Sequence, residues 1–162
     1  MTVRDQVEAI YVAERESIYS YLLYFGVPAG RAQELAQDAF LKLYLKMSRG
    51  DSIENPRAWL YRVAHNLALK AHEREPEFDA IDPNLAQPPD QPDPERTLID
   101  KRRRAALVDA VANLSPQQRH CLHLRVRGLR YREIADAIGI STSAVGEFLR
   151  RAVARLKEAV DG

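Results

Sequence analysis

The sequence predicts an all-α protein of two small helical domains, joined by an acidic, proline-rich linker, with a helix-turn-helix in the second domain. Three observations predict it. Apolar residues recur at helical spacing on both sides of residues 76–97, with no convincing period-two stretch. Six of the nine prolines (Pro76, Pro83, Pro88, Pro89, Pro92 and Pro94) fall inside that span, among six acids and a single arginine. Proline removes backbone donors and the acids repel one another, so an extended tether is expected there. The charge also divides at the same place. Residues 1–75 carry 10 Lys/Arg and 10 Asp/Glu, whereas residues 98–162 carry 13 Lys/Arg against 7 Asp/Glu. The net charge of +1 therefore conceals a basic C-terminal domain, the electrostatic footprint of a phosphate-backbone binder. The expected domains are 1–75, the linker 76–97, and 98–162.

In the first domain, Ile18, Tyr21, Leu22 and Phe25 share one face of a helix expected to end near Gly26. A second helix follows Pro28 and runs to about Ser48. Its inner stripe is Ala36, Ala39, Phe40, Leu43 and Met47, while Leu41 and Leu45 lie almost opposite, flanked by Asp38 and Lys42. A helix apolar on two faces is either buried from both sides or has a partner. Asn55-Pro56 opens a third helix, Asn as the cap and Pro at the first helical position. Trp59, Leu60, Val63, Ala64, Leu67 and Ala71 are expected to form its buried face, which turns Tyr61, Arg62, His65, Asn66 and Leu69 outward. Aromatic, cationic and amide groups on one face can stack on and hydrogen-bond to unpaired bases. A plain solvated face is the competing reading.

In the second domain, Ser115-Pro116-Gln117-Gln118 reads as a capping box with Pro at the first helical position. That helix carries Cys121, Leu122 and Leu124 and stops near Gly128. The stretch Tyr131 to Arg150 then has the spacing of a helix-turn-helix. Ile134, Ala135 and Ile138 line a short helix, Gly139 supplies a left-handed turn, and Ile140 plugs the angle. Ser141 caps the next helix, and Val145, Phe148 and Leu149 pack it back. The groove-facing positions are then Thr142, Ser143, Gly146, Glu147, Arg150 and Arg151, with Arg130 and Arg132 suited to clamping the backbone.

Several classes are set aside by what the sequence carries. No apolar run approaches the roughly 18 residues of a membrane span, and Met1-Thr2-Val3-Arg4-Asp5 lacks the apolar core of a signal peptide. The lone Cys121 allows no internal disulfide and fits a reducing cytoplasm. His120, Cys121 and His123 do not share one helical face, so the expectation is a core cysteine between partly exposed histidines rather than a metal site. No phosphate loop or nucleophile elbow is present, and the sequence predicts no catalytic residue, cofactor or metal.

The segments AQELAQDAFLKLYLK (Ala32 to Lys46), NPRAWLYRVAHNLAL (Asn55 to Leu69), LSPQQR (Leu114 to Arg119) and GLRYREIADAIGIS (Gly128 to Ser141) occur in this order around an acidic linker. With them the chain resembles the extracytoplasmic-function (ECF) group of bacterial sigma factors along nearly its whole length. The resemblance implies a sigma region-two domain, a linker and a region-four domain, with no region three. It implies docking of the second helix on the clamp coiled coil of the polymerase β′ subunit, through Gln37, Asp38, Leu41, Lys42 and Leu45. It assigns the third helix and the loop Arg49 to Glu54 to the minus-10 element, through Arg57, Tyr61, Arg62, His65 and Asn66. The second domain is expected to read the minus-35 element and to contact the β flap, with core RNA polymerase, promoter DNA and an anti-sigma factor as partners. A free-standing helix-turn-helix regulator, with a sensing or dimerising first domain, is the alternative.

Two departures from the family pattern stand out. Gly146, Glu147 and Phe148 replace the basic, small polar and Arg positions of the usual recognition helix, which leaves the upstream sequence preference open. Lys70-Ala71-His72-Glu73-Arg74-Glu75 is also less basic than the usual end of the third helix.

Overall fold

The computed structural model describes residues 1–75 and 97–161, which form seven helices and no strand. The segment expected to be an acidic tether lies outside the described residues, except that the backbone of Thr97 opens a helix. The first three helices are α1 (Val3–Tyr24), α2 (Ala29–Ser48) and α3 (Pro56–Arg74). The others are α4 (Thr97–Ala112), α5 (Pro116–Val126), α6 (Tyr131–Ile138) and α7 (Thr142–Asp161).

Local chemistry sets the helix starts. At α1, the Asp5 N–H donates to Thr2 Oγ1 and the Thr2 N–H donates to Asp5 Oδ2, both at 3.1 Å. At α3, Asn55 Oδ1 accepts from the Ala58 N–H at 3.1 Å, with Pro56 in the first turn. Ser115 and Gln118 cap α5 reciprocally, at 3.1 and 3.2 Å, as the sequence predicts. These contacts satisfy amide hydrogens that no earlier turn can reach.

Helices α1, α2 and α3 pack on one another around Ile18, Tyr21, Leu22, Ala39, Leu43, Leu60 and Ala64, all essentially buried. The inner stripe of α2 is as predicted, with Ala36 and Met47 half-buried at its margin. In the second unit α7 packs on α4, α5 and α6, with Leu124, Ile134, Val145 and Leu149 inside. The two units also touch. α3 packs along α6, and one continuous cluster of buried side chains runs from Tyr21 and Tyr61 into Cys121 and Leu124.

The buried face of α3 is rotated away from the expected one, chiefly toward α1. Trp59, Val63 and Leu67 are only half-buried, whereas Tyr61 and His65, expected outside, are 0% and 5% exposed. Tyr61 shares a hydrogen bond with Ser17 of α1, and Tyr21 and His65 are joined at 2.6 Å. Both polar groups thus find partners inside, which removes the main cost of burying them. Arg62, Asn66 and Leu69 remain exposed as predicted.

Candidate nucleic-acid and polymerase interface

The helix-turn-helix is built as its sequence suggests. Gly139 ends α6 at φ 73°, a left-handed conformation that costs other residues free energy but not glycine. Ser141 Oγ accepts from the Ala144 N–H at 3.1 Å and so starts α7. Ile134, Ala135, Ile138, Val145 and Leu149 are buried between the two helices, and Ile140 and Phe148 pack at their edge. This packing fixes the angle between α6 and α7.

The outward residues of α7 divide into two groups. Thr142 and Ser143 lie exposed at its N-terminus, where free amide hydrogens favour a phosphate. One turn on, Glu147 holds both arginines: its Oε1 lies 2.7 Å from Arg150 Nη2 and 2.9 Å from Arg151 Nε. The hydrogen bonds from Arg150 and then Arg151 hold the Glu147 carboxyl below its ordinary range, and the Glu147 bond raises Arg150 in turn. The acid thus balances the cations of its own helix. Gly146 lies under the Tyr131 ring, and a Cβ there would stand 3.7 Å from Tyr131 Cε2, an ordinary contact. Arg130 and Arg132 are exposed at the start of α6, and the Arg130 N–H donates to Glu133 Oε1 at 2.8 Å.

On α2, Leu41 and Leu45 are 54% and 44% exposed, and Gln37, Asp38 and Lys42 stand around them in solvent. The outer face also includes Tyr44, which sequence reasoning missed. Its position three residues after Leu41 places it on the same side of the helix. Leu41, Tyr44 and Leu45 thus form one exposed apolar patch on α2.

The face of α3 is more divided. Arg57 pairs with Glu14 of α1 at 3.0 Å, and its guanidinium lies against the turn at Gly128. Asn55 Nδ2 donates to Glu133 of α6. A groove of about 440 Å³ remains between the units, lined by Ile53, Trp59, Arg62, Arg130 and Arg132 among others.

Of the two histidines of α5 expected to be partly exposed, His123 is so and His120 is not. His120 is buried, stacked on Phe25 with ring centroids 4.6 Å apart, and its ring edge meets His65 at 5.2 Å. His123 lies 5.3 Å from Tyr21 and 5.1 Å from Tyr24. Burial lowers His120 and His123 to about 3 and His65 to about 4, so all three are neutral near pH 7. Burial also raises Tyr21 well above the ordinary phenol value, so its hydroxyl stays protonated where it shares a hydrogen bond with His65 Nδ1. Cys121 is fully buried, and its thiol is pushed up to about 11, which makes it an inert core residue. Among the described residues no group of three His, Cys, Asp or Glu side chains could hold a metal ion.

A helix-turn-helix in a basic second unit, attached to a helical first unit, defines the class of a DNA-binding transcription protein. Comparison with known proteins narrows this class. Residues 10–76 match the family Sigma-70 region 2, and residues 104–156 match Sigma-70, region 4. The chain is 32% identical to RNA polymerase sigma factor YlaC of Bacillus subtilis, over 98% of this chain and 94% of that one. It is 30% identical to the ECF RNA polymerase sigma-E factor of Escherichia coli K12, over 83% and 74% respectively. Its fold is similar to that of the sigma factor RpoE from Bartonella quintana, solved with the anti-sigma factor NepR, with a TM-score of 0.63 and 20% identity over 99% and 98%. The chain belongs to the ECF group of bacterial RNA polymerase sigma factors. It acts in transcription initiation with RNA polymerase and promoter DNA, and the free-standing regulator is not favoured.

Proposed function

We propose that the first unit grips core polymerase through α2 and takes the minus-10 strand on α3, while α7 reads the minus-35 duplex. The observation that carries this division of labour is the outer face of α2. Leu41, Tyr44 and Leu45 stand exposed there, directly opposite the buried Ala39 and Leu43. Gln37, Asp38 and Lys42 would border the contact with the clamp coiled coil of β′. Arg57, Arg62 and Asn66 would meet the minus-10 strand, whereas Tyr61 and His65 are held inside by Ser17 and Tyr21 of α1. Thr142, Ser143, Gly146, Glu147, Arg150 and Arg151 would face the minus-35 groove, with Arg130 and Arg132 on its backbone and the second unit against the β flap.

In this reading the chain directs a polymerase and carries no chemistry of its own. Its place of action is the cytoplasm, and no helix among the described residues is long and apolar enough to cross a membrane. An anti-sigma factor is a further partner, supported by the similarity to a sigma factor solved with one. The test is reconstitution with core polymerase and mapping of the RNA 5′ ends. Initiation at discrete sites that core alone ignores supports the proposal, and absence of binding to core at every salt concentration overturns it.

A further inference from the structure

A cleft of about 400 Å³ lies beside the recognition helix, lined by Tyr131 of α6 and by Gly146, Leu149, Arg150, Val153 and Lys157 of α7, among others. Gly146, Arg150, Val153 and Lys157 recur at helical spacing, so the cleft runs as one stripe along α7. By the same spacing that stripe begins at Thr142, exposed at the helix N-terminus. Gly146 is a glycine without a reason inside the fold. Its φ is not left-handed, it lies in a helix interior where alanine is favoured, and a Cβ would only touch the Tyr131 ring at 3.7 Å. Tyr131 is exposed, and its ring is held in place: Arg125 lies over it at 5.4 Å, and Arg125 Nη1 donates to the Leu129 carbonyl at 3.0 Å. The floor of the cleft is thus apolar and its rim cationic. Arg150 pairs with Glu147, whereas Lys157 is exposed and has no ion pair among the described residues.

We propose that this cleft seats one sugar–phosphate strand of duplex DNA: a deoxyribose lies on the floor left open by Gly146, and its phosphates meet the Tyr131 hydroxyl, Arg150 and Lys157. A deoxyribose has apolar carbon–hydrogen faces and a phosphate at either end, so it matches an apolar floor between cations. Glycine is the residue that lets another backbone come this close. A base edge would instead require a side-chain donor or acceptor, and Gly146 has none to offer. Gly146 is therefore a point of close approach and reads no base. The seat fixes how α7 lies in the groove and carries no sequence preference of its own, which leaves base reading to Thr142, Ser143 and Glu147. The proposal rests on the reading of α7 as the duplex-binding helix.

The test measures the affinity of the full chain for mixed-sequence duplex across a salt series. Gly146→Ala should unfold at a higher temperature than wild type, yet bind duplex about tenfold more weakly, because its methyl group stands where the sugar lies. A role in the fold alone would not lower affinity while raising the unfolding midpoint. Tyr131→Phe should weaken binding about fivefold through the lost hydroxyl. Lys157→Gln should lower the slope of log affinity against log salt by about one, the loss of one phosphate contact. Lys70→Gln removes the same charge from α3 and should leave that slope unchanged.

Gly146→Ala binding duplex as tightly as wild type overturns the seat, as does a slope lowered equally by Lys157→Gln and Lys70→Gln. Weaker capture of core polymerase by the cleft variants, with unchanged duplex affinity, assigns the cleft to a protein segment and overturns it too. A wild-type chain that binds no duplex at any salt concentration overturns the reading of α7 itself, and the seat with it. The variants judge the seat alone, since each is compared with a wild type that binds.

Discussion

Phe25 at the end of α1 and His120 of α5 lie face to face, with ring centroids 4.6 Å apart and planes 12° apart. One residue comes from each structural unit, so this stack is a direct measure of whether the units are closed. Charging an imidazole buried in this way costs it its hydration. Burial lowers His120 to about 3, with His65, Arg119 and His123 adding to the effect.

Closure should therefore weaken in acid. His65, His120 and His123 are depressed when closed, and His120 and His123 return toward 6.5 when exposed. The stability they contribute is complete above about pH 6.5 and is lost as pH falls toward their closed values. At about pH 5.5 each imidazole that opening exposes favours the open form by about 1 kcal/mol. The facing groups do not reverse this sign. Tyr21, Tyr24 and Phe25 on α1 and His65 on α3 are neutral, and Arg119 and Arg127 on α5 repel a protonated ring. His72 meets Phe25 at 6.4 Å, and the nearby cation Arg57 is already paired with Glu14. The radius of gyration measured between pH 7.5 and 5.5 should rise for the wild type and rise less for His120→Phe, which keeps the stack without the titrating group.

The outer face of α2 gives a second prediction. Leu41→Glu with Leu45→Glu removes apolar surface that water already reaches, so stability should change by no more than about 0.5 kcal/mol. Binding to core polymerase should be lost, as measured by pull-down with purified core. Thermal unfolding of the double variant separates this outcome from misfolding.

The contrast between α2 and α3 explains what was legible from sequence. Helix periodicity distinguishes two faces of α2 because that helix packs on one side only, so Leu43 inside and Leu41 outside follow from spacing alone. The turn at Gly139 and the caps at Asn55, Ser115 and Ser141 are equally local, and each stands where its residue type requires. Helix α3 defeats the same reasoning because it is covered from two directions. Tyr61 and His65 have the polarity of surface residues, and only the approach of α1, and for His65 also of α5, gives them partners. His120 defeats it for the same reason: nothing near it in sequence discloses that Phe25, nearly a hundred positions away, closes over it.

Gly146 offers a test of stability within the recognition helix. Its backbone is helical, and a methyl group there would make an ordinary contact with Tyr131. Gly146→Ala should therefore stabilise α7 by about 0.5–1 kcal/mol, the usual difference between these residues inside a helix. Thermal unfolding should show a higher midpoint. A lower one would mean that Tyr131 does not accommodate the methyl group, contrary to its 3.7 Å spacing.

Glu147 governs the charge that α7 presents to DNA. It pairs with Arg150 and Arg151 while all three remain in solvent, so the pairs add little to stability and are easily exchanged. Bound phosphate must compete with that carboxylate for the same two guanidinium groups. Glu147→Gln removes the repulsion and leaves both arginines free to meet the backbone. Affinity for mixed-sequence duplex should rise about tenfold at low salt, with a steeper dependence on salt concentration as more phosphates are neutralised. The ratio of promoter to mixed-sequence affinity should fall, since the gain is independent of base sequence. Fluorescence anisotropy across a salt series measures both quantities. Unchanged duplex affinity at every salt concentration would show that Arg150 and Arg151 do not reach phosphate.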